Sequence, residues 1–313
     1  MSSASSAAAA QLSDGLDLDR RAARVSLDFP PVLTRALRTT TRTVSYSRQP
    51  GALAGALAGG HTFVVPAYKE SPFLGACLAS LKAQTLPSRI LITTSTPCAY
   101  ITRTASALDI PVVVNPERHS IGADWNFAIH HAPTRRLTLA HQDDMYAPQF
   151  LAESLDLLNR FPDVTLTFSN FRQITDNGAP TTSKISLVKD LLLAAFVGRR
   201  QTIQGLRGRL LLSFGNPLTC SSVTLDRDKL GAFRFSQSLA SNLDWDAWLT
   251  LIERGDRFAF SPKRLVDRRY NDLTETSQAL RDGRRRTEDA ALFERLWPRP
   301  VSRLILRAYA TGY

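Results

Sequence analysis

The sequence has little of what an exported or membrane-spanning protein requires. Three of its 313 residues are cysteine, and they are scattered, with neither a C-x-x-C pair nor a histidine at metal-ligand spacing: Cys77, Cys98 and Cys220. An odd number of isolated cysteines does not build a disulfide framework or a zinc site, so we expect reduced thiols with structural roles. The longest apolar run, 191–197, is far shorter than the roughly 18 residues of a membrane-spanning helix.

A secretion signal is missing as well. The first residues contain neither a basic segment nor an apolar one, and the small-residue run at 52–60 is too internal and too rich in glycine to serve. Together with the expected reduced thiols, this favours a cytoplasmic protein. Residues 1–60 are rich in serine, alanine and glycine, a composition typical of a low-complexity tail and linker.

Acidic residues are also outnumbered. The chain has 28 Asp and Glu against 39 Lys and Arg, which gives a formal net charge of +11 at pH 7. Such an excess favours an anionic partner: nucleic acid, the phosphates of a nucleotide, or an acidic membrane surface. Nucleic acid is the least favoured of the three, because no recognised binding motif and no interleaving of aromatic and basic residues is present.

Two segments concentrate the basic residues. The first, 183–209, is predicted to be helical, and Asp190 is its single acidic residue. The second is the tail from residue 281, in which arginines recur every four residues among apolar positions: Arg299, Arg303 and Arg307. A helix with this pattern could lie on an anionic membrane or simply expose its arginines to water.

From residue 61 onward, short apolar strands alternate with helical patterns. The strands are predicted at 62–66, 89–94, 110–114, 137–140 and 164–168. The intervening helices are predicted at 72–81, 99–108, 122–131 and 148–161, the first with Ser71 as its N-cap. This alternation predicts right-handed βαβ units and a mostly parallel α/β sheet. Beyond residue 170 we expect a further strand at 221–225, a helix at 243–253 and a short strand at 257–260.

Two adjacent carboxylates, Asp143 and Asp144, come soon after the predicted strand 137–140. Open α/β sheets bind their ligands beyond the carboxyl ends of the strands. Carboxylate oxygens there suit a hard divalent cation, which in turn would hold phosphates. The pair alone leaves an acidic turn in solvent as the alternative. The neighbouring His141 is predicted to be a packing or solvent residue, with a role in orienting the acids as the alternative.

Four sequence blocks surround this pair in a recognisable order. They are VPAYKE at 65–70, Asn115 followed by IGADWN at 121–126, HQDDMY at 141–146 and LDWDAWL at 243–249. In order and spacing they resemble the family 2 glycosyltransferases of the GT-A fold. The resemblance implies a nucleotide-diphospho-sugar transferase with a Rossmann-like, mostly parallel sheet flanked by helices.

The same resemblance divides the chain. It implies a GT-A domain at 61–278, with a nucleotide-sugar-binding half at 61–170 and an acceptor-binding half at 171–278. A basic, helical C-terminal extension would follow at 279–313.

The resemblance also implies roles for individual residues. Asp144, Asp143 and Asn271 would hold Mn²⁺ or Mg²⁺. Contacts with the nucleotide-sugar donor would come from Pro66, Ala67, Tyr68, Glu70, Thr94, Asn126, Gln142, Asp143 and Arg269. Arg268 is a second phosphate candidate beside Arg269.

Sugar transfer with inversion needs a base, because the acceptor hydroxyl must lose its proton as it attacks the anomeric carbon. By the resemblance Asp244 is this base, although Leu243 stands where the family carries a glutamate. Trp248 lies four residues further along the predicted helix and so shares the face of Asp244. It would either stack on an acceptor sugar or pack in the core.

The clearest departure from the family is ITTSTP at 92–97, where family members have an Asp-Asp-Gly-Ser-type turn whose acid reads the base. Base recognition then falls to Thr93, Thr94, Ser95 or backbone groups. The sequence thus predicts a metal-dependent, inverting hexosyltransferase that acts on a glycan or lipid-linked glycan, peripheral on the inner face of the cell membrane. The alternatives are a GT-A domain that binds nucleotide without turnover and a basic nucleic-acid-binding protein.

Overall fold

Strands and helices alternate through the first half of the domain, as the periodicity predicts. The computed structural model describes residues 60–117, 120–270 and 275–310. The elements of the first half are β1 (His61–Pro66), α1 (Leu74–Lys82), β2 (Arg89–Thr94), α2 (Ala99–Ala107), β3 (Val112–Val114), α3 (Ile121–His131), β4 (Arg136–Leu139), β5 (Met145–Tyr146), α4 (Phe150–Arg160) and β6 (Leu166–Ile174).

The second half is richer in helices. Its elements are β7 (Pro180–Thr181), α5 (Lys184–Phe196), β8 (Thr202–Ile203), α6 (Gly205–Leu212), β9 (Val223–Asp226), α7 (Arg227–Leu230), α8 (Leu243–Arg254), β10 (Phe258–Arg269), α9 (Glu275–Arg281), α10 (Arg284–Leu296) and α11 (Arg299–Ala310). None of the described helices is both long and apolar enough to cross a membrane.

The described strands form one sheet in the order β3-β2-β1-β4-β9-β6-β10-β5, with β7 beside β6 and β8 beside β10. Strands β1 to β4 pair in parallel, and so do β6 and β10. Strand β9 lies between β4 and β6 and is antiparallel to both. The predicted mostly parallel α/β sheet with flanking helices is therefore confirmed, and both halves of the chain contribute strands to it.

Several predicted elements have other bounds in the structure, including β6, which continues to Ile174 instead of ending at residue 168. Helix α1 begins at Leu74, because residues 71–73 form a turn before it. The basic segment 183–209 is not one helix, since Gly198 and Gln201 take positive φ angles and strand β8 follows. Strand β10 does not end at Phe260 but continues past Pro262, where the pairing with β6 shifts register instead of stopping.

Both faces of the sheet are covered, which the alternation along β1 shows directly. Phe63 and Val65 belong to a core cluster with helices α1, α2 and α4, whereas Val64 faces a second cluster with α3 and α8. The C-terminal helices complete this second core: Phe293 of α10 is fully buried and its ring lies 5.1 Å from that of Trp245. The C-terminal extension is thus helical, as predicted, and packed on the domain.

Two glycines in helices give a matched test of this packing. A Cβ on Gly122 would lie 2.0 Å from the carbonyl oxygen of Ser236, whereas a Cβ on Gly75 would meet nothing within 4 Å. We expect Gly122→Ala to lower the free energy of unfolding by about 3 kcal/mol through overpacking. Gly75→Ala should raise it by about 0.5 kcal/mol through helix propensity. Urea unfolding of both variants measures the difference, and equal midpoints would contradict this packing.

Candidate active site

The paired acids lie in the turn between β4 and β5. Asp144 is 2% exposed, and its backbone N–H donates to the carbonyl of His141 at 3.2 Å. Its Oδ1 accepts the backbone N–H of Arg269 at 2.9 Å, at the end of β10. The carboxylate is therefore fixed between the ends of two strands that lie apart in the sequence.

Burial and like charge make this turn electrostatically costly. Burial, together with the charge of Asp143, raises the pKa of Asp144 to about 7. The pKa of the His141 imidazole is lowered, chiefly by burial, so the ring is held neutral. A neutral imidazole can donate its nitrogen lone pair to a metal.

His141, Asp143 and Asp144 together could hold a metal ion. Each offers one ligand atom, and these atoms lie within 4.8 Å of one another. The Nε2 atom of His141 is buried and has no hydrogen-bond partner among the described residues. An unpaired imidazole nitrogen beside two repelling carboxylates fits a divalent cation, and the nitrogen ligand suits Mn²⁺ better than Mg²⁺. The sequence predicts a packing or solvent role for His141, and its ring does lie 5.3 Å from that of Trp125. A ligand role goes beyond that prediction, although the position next to the acids was the available signal.

The loop after β1 is held beside the acids. The side-chain amide of Gln142 accepts the N–H of Tyr68 at 3.0 Å and donates to its carbonyl at 3.1 Å. Ala67 donates its backbone N–H to Thr93 at 2.7 Å, in continuation of the pairing of Pro66 with the same residue. Gln142 therefore fixes the backbone of Tyr68, whose side chain remains partly exposed beside the acidic turn.

Two other predicted donor contacts lie on the same edge of the sheet. Glu70 is exposed in the loop that follows Tyr68. Thr94 is buried at the end of β2, where its hydroxyl accepts the backbone N–H of Thr96 at 3.0 Å. The side chain of Thr94 therefore shapes the turn after β2.

The side chain of Arg269 is engaged in contacts within the protein. Its guanidinium donates to the carbonyls of Asp143, Thr175 and Asp176 and lies 4.2 Å from the ring centre of Phe73. The charge of its neighbour Arg268 instead lowers the pKa of both Asp144 and His141. Arg268 is thus the better placed of the two for a phosphate.

The third predicted metal ligand, Asn271, lies outside the described residues.

Asp244 lies in the first turn of helix α8, where its Oδ1 accepts the backbone N–H of Trp245 at 2.8 Å. Its charge acts to raise the pKa values of His141 and Lys189, so it is within electrostatic reach of the acidic turn. Burial, with Arg268, lowers the pKa of Lys189 to about 7. The sequence pattern placed Lys189 in a basic segment only and missed its proximity to the site.

The other polar and aromatic residues of α8 have structural roles. Asp246 forms an ion pair with Arg295 of α10 at 3.0 Å. Trp248 is fully buried, and its ring meets that of Phe235 edge to face at 6.0 Å. Core packing is therefore its role, and stacking on an acceptor sugar is excluded.

The loop that leads into α8 is held from two sides. The side-chain amide of Asn126 donates to the carbonyl of Phe235 at 2.9 Å and accepts its N–H at 2.8 Å. The carboxylate of Glu288, on α10, accepts the backbone N–H groups of residues 240–242. Asn126 thus acts on the site through this loop, and the C-terminal extension anchors the helix that carries Asp244.

Comparison with known proteins decides the family. The sequence model of Glycosyl transferase family 2 matches residues 62–221, which is more than half of the chain. The chain belongs to glycosyl transferase family 2. A search of the curated proteins found no match to this glycosyltransferase.

Solved structures share the fold of this family 2 glycosyltransferase. TarS 1-349 from S. aureus, in complex with UDP-GlcNAc, is 13% identical with a TM-score of 0.56; the match covers 79% of this chain and 70% of that one. The mannosyltransferase PcManGT from Pyrobaculum calidifontis, in complex with GDP-Man and Mn²⁺, is 16% identical with a TM-score of 0.55, over 80% and 68% of the two chains. The predicted GT-A fold is confirmed.

The raised pKa of Asp144 predicts how the metal-free protein responds to pH. The folded state binds this proton more tightly than the unfolded state, so its stabilising effect is present below pH 4 and is lost as the pH rises through about 7. Asp144→Asn removes the buried charge and keeps the acceptor for Arg269. At pH 8, in EDTA, we expect the variant to melt on the order of 5 °C higher than the wild type, with the gap closing towards pH 4.

Mn²⁺ supplies the control for this measurement. At pH 8 the ion should stabilise the wild type and leave Asp144→Asn unchanged, because the ligand is gone. A melting difference that does not vary with pH would contradict the buried charge.

Proposed function

We propose that this protein is a metal-dependent, inverting glycosyltransferase that moves a sugar from a nucleotide-sugar donor to a hydroxyl of a glycan or lipid-linked glycan, in polysaccharide synthesis. The observation that carries the proposal is the cluster of His141, Asp143 and the buried Asp144 beyond β4, with Asp244 within electrostatic reach. The complexes of TarS with UDP-GlcNAc and of the Pyrobaculum mannosyltransferase with GDP-Man and Mn²⁺ support a donor of this class.

Mn²⁺ or Mg²⁺ would be held by Asp144 and Asp143, with His141 as a nitrogen ligand. Such an ion supplies positive charge that offsets the charge developing on the leaving diphosphate. Arg268 contributes a fixed positive charge beside the same turn, since it is already close enough to lower the pKa of Asp144. The protein's share in this half of the site is to hold the anionic leaving group in place.

Asp244 acts on the other reactant. Its carboxylate accepts the proton of the acceptor hydroxyl as that oxygen bonds to the anomeric carbon, while the bond from this carbon to the diphosphate oxygen breaks on the opposite face. The configuration at the carbon is inverted as a result. Lys189, whose pKa is lowered to about 7 chiefly by burial, lies within the field of Asp244.

The test separates the base from a structural role of α8. With nucleotide sugars and Mn²⁺, we expect Asp244→Asn to lower kcat at least about 100-fold, because the base is lost, and to leave donor Kd nearly unchanged. Asp246→Asn is the matched control on the same helix, since Arg295 retains its pairing with Glu253. Single-turnover product formation and calorimetry measure the two quantities. Donor binding without product from the wild type would instead favour the non-catalytic alternative.

A peripheral position on the cytoplasmic face of the membrane is the second part of the proposal. Helix α5 buries Leu193 in the core, and its Asp190 accepts from Asn170 at 2.8 Å and pairs with Arg264. Its outer face is apolar, with Leu187 60% and Leu191 70% exposed. An outward apolar face within a segment of strong positive charge suits an anionic bilayer surface. A lipid-linked acceptor would then meet the site at that surface.

Vesicle co-sedimentation tests this surface. The double variant Leu187→Glu, Leu191→Glu should reduce binding to phosphatidylglycerol-containing vesicles at least about tenfold. Two negative charges would then stand where apolar side chains contact the bilayer. Leu86→Glu is the control. Leu86 is also exposed, but it precedes the amino end of β2, whereas the acidic turn follows the carboxyl end of β4. Equal binding by both variants, or absence of binding by the wild type, would contradict the membrane contact.

A further inference from the structure

The turn that follows β2 contains no acidic residue, but a carboxylate from another element lies beside it. It belongs to Asp124, in the first turn of α3. Its Oδ2 accepts from the hydroxyl of Ser95 at 2.8 Å, and its Oδ1 accepts from the side-chain amide of Asn115 at 2.9 Å. Ser95 directly follows β2 and Asn115 directly follows β3, so helix α3 delivers an acid to the carboxyl ends of both strands.

This carboxylate is not needed to begin its own helix. Ser120 is the N-cap of α3, and its hydroxyl accepts the backbone N–H of Ala123 at 3.2 Å. Asp124 is half-buried and reaches across to the strand ends. Each of its oxygens makes one of these hydrogen bonds and has a second lone pair, so the carboxylate can accept one more donor.

The position fits the base of a nucleotide whose phosphates are at the acidic turn. Strands β2 and β4 flank β1 on its two sides. Two strand spacings place their ends about 10 Å apart, which a ribose and diphosphate can bridge. Tyr68, 39% exposed, follows the intervening strand and offers an aromatic face between the two positions.

We infer that Asp124 reads the base of the donor nucleotide, in place of the acid that the turn after β2 lacks. The inference rests on the proposed function and makes Asp124 a specificity-determining residue. A carboxylate accepts hydrogen bonds and donates none. It therefore favours bases with a ring N–H on the pairing edge, which are uracil at N3 and guanine at N1. It disfavours cytosine and adenine, whose ring nitrogens there are acceptors and whose donors on that edge are the exocyclic amino groups alone.

Calorimetry with four nucleoside diphosphates and Mn²⁺ tests this. The wild type should bind UDP or GDP at least about tenfold more tightly than CDP and ADP, since with the latter two a ring acceptor would face the carboxylate with no proton between them. Asp124→Asn should bring the ratio of UDP to CDP affinity towards one, because the amide can donate to cytosine N3. Asp109→Asn is the control. Asp109 lies before the amino end of β3, away from the carboxyl ends of the strands, and asparagine tolerates its φ of 51°.

The outcomes separate this inference from the proposed function. Failure of the wild type to bind any of the four diphosphates would overturn both. Binding of all four alike, or an Asp124→Asn variant that weakens all by one factor, would overturn the base-reading role and leave the proposed function standing. If Asp124→Asn does not fold, Asp124→Glu takes its place, since it keeps the charge and displaces the carboxylate by one methylene. The ratio of UDP to CDP affinity should then fall, and an unchanged ratio would overturn the base-reading role.

Discussion

The site depends on holding a buried carboxylate next to a second one. The fold provides this through Arg269, which fixes Asp144 by its backbone N–H and the turn around it by its guanidinium. The arginine thereby stabilises the arrangement of both acids. Repulsion between the carboxylates remains in the metal-free protein, and it is the source of the affinity that a divalent cation would find there.

Sequence predicted the first half of the fold well because its strands are short apolar runs bounded by turns. Their parallel orientation also follows from the alternation of strands and helices. The insertion of β9 between β4 and β6 could not be predicted, since antiparallel pairing across such a separation leaves no local signal. The continuation of β10 was hidden by Pro262, whose disruption the sheet absorbs as a register shift.

The residues of the candidate site also differ in whether a local sequence signal could place them. Asp143 and Asp144 could be placed from sequence because a strand end fixes their position. Arg268 and Arg269 could not be told apart, since neighbours on a strand face opposite sides and only the packing decides which side is buried. Asp124 was invisible for a related reason: its partners, Ser95 and Asn115, come from two other elements.

The contacts of Glu288 with residues 240–242 join two parts of the chain that are distant in sequence. The carboxylate belongs to α10, whereas the three backbone N–H groups that it accepts lie just before α8. Loss of α10 would leave these three donors without their acceptor. The C-terminal helices therefore do more than cover the sheet, because one side chain makes the position of α8 depend on their being folded.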